Sequence, residues 1–311
     1  MLINEELFER VEKSLSKNGT IERFEKENGK ITGRMMITLT DVPENIEIVK
    51  KQDKQGIDIY IKPGTKNESI HIPVILSQTG LKELVYNDFH IGEDCDITIV
   101  AGCGIHNGGK DDSEHSGIHS FFVGENAKVK YIEKHYGSSE GTGKNVMNPT
   151  THIELSKNAY MELVTAQIKG VDNTERNTTA IIDEGATLIV GEKLMTHNDQ
   201  YAKTSFEVDL RGKNAGAHVV SRSVARDNSK QLFISKINGN NACSGHTECD
   251  AIIMDNASVS AIPEILANHI DAQLIHEAAI GKIAGEQLIK LMTLGLTEKE
   301  AEEEIINGFL K

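Results

Sequence analysis

One short pattern recurs six times between about residues 90 and 265, and it limits the fold more than any other feature. Each copy has a turn rich in Asn, Asp or Gly, then one small residue, then a run in which apolar and polar residues alternate. Such a repeat is typical of stacked architectures, and a period of two indicates strands. The pattern predicts a parallel β-helix; the alternative is a two-sheet sandwich, in which turns come roughly every 8–12 residues. The small residues, at spacings of 32, 32, 27, 29 and 42, are Cys95, Ala127, Ala159, Ala186, Ala215 and Ala257.

Counting along each strand from its small residue predicts which side chains face the core. Residues two apart on a strand share a face. Cys95 occupies a position that is Ala in the other copies, so we interpret it as a small core residue. The predicted inward set is Ile97, Ile99, Val129, Tyr131, Met161, Leu163, Leu188, Val190, Val259 and Ala261.

Two of the predicted inward columns are partly polar. Cys103 lies eight residues past its small residue, and the equivalent positions are His135 and Gln167. Cys249 lies eight residues before Ala257 and also faces inward by this count. Buried polar side chains need partners, water or a ligand, and for Cys249 the pattern leaves open a core thiol or a functional thiolate. The predicted counterparts of Cys249 are His119, Thr151, Thr178 and, with one inserted residue, Thr204.

The segments on either side of the repeats have different patterns. Residues 3–18 have the apolar spacing of an amphipathic helix, and residues 31–76 alternate like strands that lead into or cap the β-helix. Residues 281–311 predict two helices, the second opened by a capping box of Thr297 and Glu300. These helices either cap the open end or bind a partner. The predicted division is 1–76 for the N-terminal helix and capping strands, 77–265 for the β-helix, and 266–311 for the C-terminal helical segment.

Two further groups of residues are candidate metal ligands on weaker grounds. His276 and Glu277 precede the predicted helices and could form a structural pair or supply two ligands. His106, His115 and His119 in a Gly-rich, charged segment could form a mononuclear site, or could be solvated or structural histidines.

Composition excludes several classes of function. A net charge of −14 argues against a broad surface for nucleic acid or anionic membranes. The N-terminus has no apolar signal region, and no stretch of 18 apolar residues occurs, so we expect a cytoplasmic protein whose four cysteines are thiols. With 5% aromatic residues and no Trp, the chain is a poor candidate for a β-helix enzyme that acts on carbohydrate.

The C-terminal motifs CDAIIM, IPE, HEAAIGKI and LMTLGLTEKEAEEEIINGFL resemble the core of the SufB/SufD family of the SUF iron–sulfur assembly machinery. The segments RSVARDNSKQLF, GCGIHN and SGIHSFFVGENAKVKY are similar to the same family, so the resemblance covers roughly residues 90–311. It implies a right-handed parallel β-helix flanked by N- and C-terminal helical parts. Within the family, the chain resembles a SufB-like, compact form of archaeal or anaerobe type.

The resemblance also implies partners and a cargo. Subunits of this kind pair as dimers, each holds a SufC-type ABC ATPase that binds the ATP, and a transient 2Fe–2S or 4Fe–4S cluster is built and passed to apo iron–sulfur proteins. We therefore expect a scaffold without enzymatic activity that pairs with a second copy or with a SufD-like paralogue. The helix residues expected to bind the ATPase are Leu288, Leu291, Met292, Ile305, Ile306 and Phe309.

Individual site residues follow from the matching motifs. In SufB members a cysteine of the CD motif and a His–Glu pair are implicated in cluster assembly, and they match Cys249, His276 and Glu277. A cysteine after Gly, implicated in sulfur uptake and passage through the β-helix, matches Cys103, and a polar residue one coil further on matches His135.

The number of ligands also bears on the role of the chain. Clusters prefer thiolate ligands, so one cysteine with His and Glu per subunit suits a scaffold that releases its product. The chain lacks a Trp beside the second passage residue and a clear passage lysine. The alternative is a SufD-like subunit that docks the ATPase without binding a cluster.

Overall fold

The computed structural model describes residues 21–27, 30–39 and 43–311. This part of the chain is mostly β-strand, and the helix predicted over residues 3–18 lies outside it. The strands are β1 (Ile21–Glu27), β2 (Lys30–Leu39), β3 (Ile46–Lys50), β4 (Gly56–Ile61), β5 (Lys66–Leu76), β6 (Lys82–Ile91), β7 (Asp96–Asn107), β8 (Ser113–Val123), β9 (Lys128–Ser139), β10 (Asn145–Met147), β11 (Thr150–Leu155), β12 (Tyr160–Lys169), β13 (Asn173–Ile182), β14 (Thr187–Thr196), β15 (Tyr201–Leu210), β16 (Gly216–Ala225), β17 (Lys230–Gly239), β18 (Ser244–Ile253), β19 (Ser258–Ala267) and β20 (Gln273–Gly281). The helices are α1 (Gly285–Thr293) and α2 (Glu298–Phe309).

Two long sheets form the body of the molecule. Sheet I contains β3, β4, β6, β8, β10, β11, β13, β15, β17 and β19, and sheet II contains β5, β7, β9, β12, β14, β16, β18 and β20. From β4 onward the chain alternates between the sheets, and neighbouring strands pair in parallel, whereas β3 pairs with β4 antiparallel. The result is a parallel β-solenoid of about 8 turns. The predicted mainly-β fold, a parallel β-helix followed by two C-terminal helices, is confirmed.

Most of the short turns that connect the two sheets contain a residue with positive φ. Where a sheet I strand leads into sheet II, the φ angles of Asn126, Asn158 and Asn214 are 56°, 56° and 60°. At the opposite corner, the φ angles of Asp227 and Asp255 are 57° and 55°. Asn and Asp tolerate this left-handed conformation better than other non-glycine residues because their short side chains can hydrogen-bond locally. Both corners therefore carry the same turn signature.

The sixth copy of the repeat lies at the opposite corner from the other five, so its predicted alignment is wrong. Ala257 precedes β19 of sheet I, whereas Ala215 precedes β16 of sheet II. Cys243 continues the column of small residues. The Ser244 amide donates a hydrogen bond to the Ala215 carbonyl, and one coil further on the Gln273 amide donates the equivalent bond to the Cys243 carbonyl. The spacing of 42 residues between Ala215 and Ala257 thus consists of a full coil of 28 residues, from Ala215 to Cys243, and a half coil of 14 residues, from Cys243 to Ala257.

A continuous apolar core fills the solenoid. The predicted inward residues of the first four copies are at most 2% exposed, and Cys95 is fully buried at its anchor position. Val259 and Ala261, predicted to face inward, are only partly buried. They lie on β19, the last strand of sheet I, so no further coil covers them.

The segment 266–311, predicted to be helical, opens with a strand. β20 pairs in parallel with β18, which places His276 and Glu277 on the last coil of the solenoid. The physical reason is that Leu274 packs against the core and the alternation of faces continues beyond it. Helical structure begins at Gly285.

The two C-terminal helices have the predicted local signals. The capping box is present at the start of α2: the Thr297 side chain accepts from the Glu300 amide at 3.3 Å, and the Thr297 amide donates to the Glu300 carboxylate at 2.8 Å. Ala301 and Ile306 are buried on α2, whereas α1 has no buried residue. Neither of these described helices is long and apolar enough to cross a membrane.

Candidate functional site

Cys103 and His135 lie on neighbouring strands inside the solenoid, as predicted. Cys103 on β7 pairs in register with His135 on β9, which in turn pairs with Gln167 on β12. Each of the three is 5% exposed. The column of Cys, His and Gln is therefore a buried feature of sheet II.

A histidine from the opposite sheet makes the Cys103 thiol acidic. Burial raises the pKa of Cys103, but the charge and hydrogen bond of His115 and a hydrogen bond from His135 outweigh it and lower this pKa to about 7. Burial lowers the pKa of His115, but Cys103 and Glu83 raise it to about 10. His115 Nδ1 is 3.0 Å from the Glu83 carboxylate. At neutral pH about half of the Cys103 side chains are therefore thiolates, each beside the His115 imidazolium.

A second ion pair lies further along the interior. Arg176 of β13 donates to the carboxylate of Glu133 on β9, and it also contacts His135 Nδ1 at 3.1 Å. Burial raises the pKa of Glu133, but the Arg176 charge and then His135 hold it well below its ordinary value. Tyr131 donates to the same carboxylate at 3.2 Å. Buried charges cost several kcal/mol of desolvation each unless paired and hydrogen-bonded, and here each charge has several partners.

Glu192 extends the polar interior toward the C-terminal coils. Its carboxylate lies 3.7 Å from Arg176 Nε and accepts hydrogen bonds from Thr204 and Ser221 at 3.0 and 2.7 Å. Burial raises the pKa of Glu192. Ser221 pairs in register with Cys249 on the next strand, so the polar groups reach the second candidate cysteine.

Cys249 faces the interior, as predicted, but the predicted counterparts on sheet I are wrong because that count began at the opposite corner. Its column in sheet II consists of Ala101, Glu133, Thr165, Glu192, Ser221 and Cys249. Burial, and then the charges of Glu192 and Asp250, raise the pKa of Cys249 to about 12. Cys249 is therefore a buried neutral thiol at pH 7, unlike Cys103.

The two candidate cysteines, Cys103 and Cys249, are far apart. Four strands, β9, β12, β14 and β16, separate β7 from β18 in sheet II. At about 4.8 Å per strand the five steps span roughly 24 Å. Direct transfer of an atom from one sulfur to the other is excluded in this arrangement.

The remaining predicted ligands do not converge with Cys249 within one chain. His276 lies on the inner face of β20, 2.5 Å from the Thr247 hydroxyl. Glu277 is on the outer face, with a side chain 66% exposed, and it lies 3.8 Å from His246 Nε2. Within the described residues no three His, Cys, Asp or Glu side chains surround a common point.

The histidines considered for a mononuclear site are strand residues with separate partners. His106 contacts Ser138 at 2.9 Å, and His119 contacts Asn87 at 3.4 Å. His115 instead faces Cys103 and Glu83. The three histidines therefore serve different parts of the interior.

The helix residues predicted to bind a partner differ in exposure. Met292 is 42% exposed, whereas Ile306 is buried, at 4% exposed. Leu288, Leu291, Ile305 and Phe309 are partly buried. The most exposed apolar side chains of this region are Ile289 and Leu294, at 63% and 76%.

Sequence reasoning missed the interior charges. Glu133 and Glu192 each lie six residues past a small anchor, which predicts an inward position by the same parity as Cys103. Arg176 and His115 share the inward parity of Thr178 and His119 on their strands of sheet I, but the sequence gives no signal of which partners they meet across the interior.

Comparisons with known proteins identify the family. The family described as "SUF system FeS cluster assembly, SufBD core domain" matches residues 84–309. An iron-sulfur cluster assembly SufBD family protein of Methanocaldococcus jannaschii is 29% identical over 84% of this chain and 83% of its own length. Proteins of the same description from Archaeoglobus fulgidus and Pyrococcus horikoshii are 29% and 30% identical, over 87% and 90% of this chain and 72% and 85% of their own lengths. The chain belongs to the SufBD family of iron–sulfur cluster assembly proteins.

Proposed function

We propose that this protein is a SufB-like scaffold that accepts sulfur at Cys103 and supports assembly of an iron–sulfur cluster near Cys249. The observation that carries the proposal is the Cys103 thiolate, whose pKa of about 7 is produced by His115 and His135 despite full burial. A structural cysteine in an apolar core has a raised pKa instead. The cluster is cargo of the scaffold, and ATP is bound by a partner.

The first step is transfer of sulfur to Cys103. Its thiolate attacks the outer sulfur of a donor persulfide, so a new S–S bond forms at Cys103 while the donor S–S bond breaks. The donor leaves as a thiolate, and no net oxidation occurs. The His115 imidazolium stabilises the negative charge of the attacking and product sulfur atoms.

Sulfur then moves through the interior as an anion. Two thiols of a reductant, oxidised to one disulfide, release the outer sulfur of the Cys103 persulfide as hydrosulfide. Arg176 supplies a buried cation between the two cysteines, and Glu133 offsets its charge. This arrangement supports passage over roughly 24 Å, five strand spacings of about 4.8 Å. Arg176 thus takes the part that resemblance to the family assigns to a lysine.

Cluster assembly takes place at the C-terminal end of the solenoid. Iron displaces the proton of Cys249 when it binds, because only the thiolate is a ligand. His276 lies on the same inner face one strand away. Glu277 faces outward, so its participation requires a rearrangement of the last coil or a second subunit at the open end.

The proposal includes two protein partners. A second copy, or a SufD-like paralogue, covers the last coil, where Ile265 and Ile280 lie at core-facing positions yet are 42% and 38% exposed. A SufC-like ABC ATPase binds the C-terminal helices, whose exposed apolar residues include Ile289 and Met292. Apo iron–sulfur proteins receive the finished cluster.

One observation favours the alternative of a SufD-like structural subunit. Cys249, His276 and Glu277 do not converge in the isolated chain, and Cys249 is a neutral thiol. In a SufD-like subunit, Cys103 and Cys249 would be dispensable for docking of the ATPase.

The deciding experiment is anaerobic reconstitution of the chain with its ATPase, Fe²⁺ and a persulfide donor, followed by visible absorption and Mössbauer spectroscopy. We expect Cys103→Ser and Cys249→Ser to form no cluster. When inorganic sulfide replaces the persulfide donor, Cys103→Ser should form the cluster again, whereas Cys249→Ser should still form none. Cys243→Ala is the matched control, since Ala occupies that column in four other coils, and it should behave like the parent. Normal cluster formation by Cys249→Ser would favour the SufD-like role.

A further inference from the structure

Two histidines form a ladder on the outer face of sheet II, next to the last coil. His218 on β16 pairs in register with His246 on β18. Their rings stack with centroids 4.9 Å apart and planes 6° apart. The pairing and the common face place both rings in one column, as parallel strands at about 4.8 Å require.

The ladder has unsatisfied nitrogen atoms. Nε2 of His218 and Nε2 of His246 are both buried from water and have no hydrogen-bond partner. A buried polar atom without a partner costs free energy. A cation bound by both nitrogens would remove this cost, because neutral imidazole is a good ligand for divalent metals.

A carboxylate stands close to the ladder. Glu277 Oε2 lies 3.8 Å from His246 Nε2, which is too far for a hydrogen bond. Two donors that share one ion at bond lengths of about 2.0–2.2 Å lie roughly 3–4 Å apart. The separation therefore fits a pair of ligands around one ion. Glu248 pairs with Glu277 in register and presents a second carboxylate on this face.

The site closes when the metal binds. Within the described residues no three potential ligands already surround one point, so one imidazole must tilt out of the stack. The Glu277 side chain is 66% exposed and free to rotate toward the rings. Two histidines and a carboxylate, with open positions for water, form the donor set that suits Fe²⁺ and also accepts Co²⁺ or Zn²⁺.

We propose that His218, His246 and Glu277 form a divalent metal site on the outer face of sheet II that loads Fe²⁺ beside the cluster-assembly end. The identity of the metal as iron rests on the proposed function, whereas the site itself rests on the geometry. Cys249 lies on the inner face of the strand that carries His246, so the loading site and the assembly site are on opposite faces of β18.

Sheet I contains a histidine that serves as a matched control. His152 is also a half-buried, outward-facing histidine beside a carboxylate, with Nε2 3.0 Å from Glu154. Its Nδ1 contacts Thr179 at 2.9 Å. Both ring nitrogens of His152 thus have partners, and we expect no metal there.

The test is anaerobic titration of the full chain with Co²⁺, followed by visible spectroscopy, and competition with Fe²⁺. We expect one bound ion with nitrogen and oxygen ligands, and a loss of affinity of at least about tenfold in His218→Gln, His246→Gln and Glu277→Gln. His152→Gln should bind like the parent, and circular dichroism checks that each variant is folded.

Any one of three results would overturn the site. The parent could fail to bind Co²⁺, or all three ligand variants could bind Co²⁺ with the affinity of the parent. The third result is a thiolate charge-transfer band, which would place the ion on a cysteine. Cys103→Ser separates this inference from the proposed function, because it abolishes sulfur uptake there and should leave Co²⁺ binding unchanged. If Cys103→Ser took up sulfur as well as the parent does and also bound Co²⁺ normally, the proposed function would be contradicted and the metal site would not.

Discussion

The lowered pKa of Cys103 depends on a residue 12 positions further along the chain and on the other sheet. His115 supplies the positive charge that favours the thiolate, and Glu83 keeps His115 charged. Cys95 and Cys243, in contrast, fill anchor positions of the column that is otherwise Ala. Four cysteines in one solenoid therefore have three different environments, and each follows from its nearest charged groups.

The pH dependence of Cys103 methylthiolation tests this environment. Since the pKa of Cys103 is about 7, the rate of modification by a small reagent such as methyl methanethiosulfonate should rise with pH and reach half its maximum near pH 7. His115→Gln removes the stabilising cation, so the midpoint should move upward, toward or beyond the ordinary thiol value of 9.0. The measurement requires the other three cysteines to be replaced by Ala.

His119→Gln is the control for this measurement. Burial lowers the pKa of His119 to about 4, so this residue is uncharged at pH 7 and its loss removes no charge. We expect the midpoint to stay near pH 7. An equal shift in both variants would contradict a specific role for His115.

The turns at the two corners of each coil explain why the repeat predicted the strands correctly and the alignment of its sixth copy wrongly. The residue with positive φ is Asn or Asp at most of these turns, so the pattern of turn, small residue and alternation marks a corner reliably. It does not distinguish one corner from the other. The alignment of Cys249 with residues of sheet I was wrong for this reason, although its inward direction was predicted.

Asn214 provides a test of the turn conformation. Its φ is 60°, so Asn214→Ala should lower the free energy of unfolding by about 1 kcal/mol, because a Cβ is unfavourable in the left-handed region. Asn214→Gly should be close to neutral, since Gly adopts positive φ readily. Urea denaturation monitored by circular dichroism gives both values. Equal destabilisation by Ala and Gly would assign the effect to the lost side chain instead of the backbone.

The whole solenoid ends abruptly at its C-terminal coil. Ile237 and Ala251, one coil earlier, are 2% and 4% exposed, whereas their in-register neighbours Ile265 and Ile280 are 42% and 38% exposed. The edges of β19 and β20 also have no neighbouring strand within the described residues. Such an end is prone to associate with another chain, which supports the proposed dimer with the proposed assembly region at its centre.

Replacement of one core-facing isoleucine at this end tests the dimer. Ile265→Glu places a charge in the proposed interface and should raise the dissociation constant of the homodimer at least about tenfold, or 1.4 kcal/mol. Sedimentation equilibrium measures this constant. Ile168→Glu is the control, since Ile168 is 39% exposed but lies on β12 in the middle of the solenoid. A parent that remains monomeric at all concentrations would contradict the homodimer.

Local patterns were sufficient for the architecture and for the direction of each strand residue. Alternation with a period of two and a repeated turn are properties of neighbouring residues, so they predicted the β-helix, the Cys103–His135 column and the small anchor at Cys95. The capping box of α2 was predicted for the same reason.

The chemistry of the interior depends instead on contacts across the solenoid. The thiolate of Cys103 needs His115, and the charge of Glu133 needs Arg176, and both partners come from the opposite sheet. Coils of this chain differ in length from 27 to 32 residues between successive anchors, so no constant spacing relates one sheet to the other. Those pairs, the separation of Cys249 from Glu277 and the His218–His246 ladder became evident only from the folded coils, because register between sheets is set by packing around a shared core.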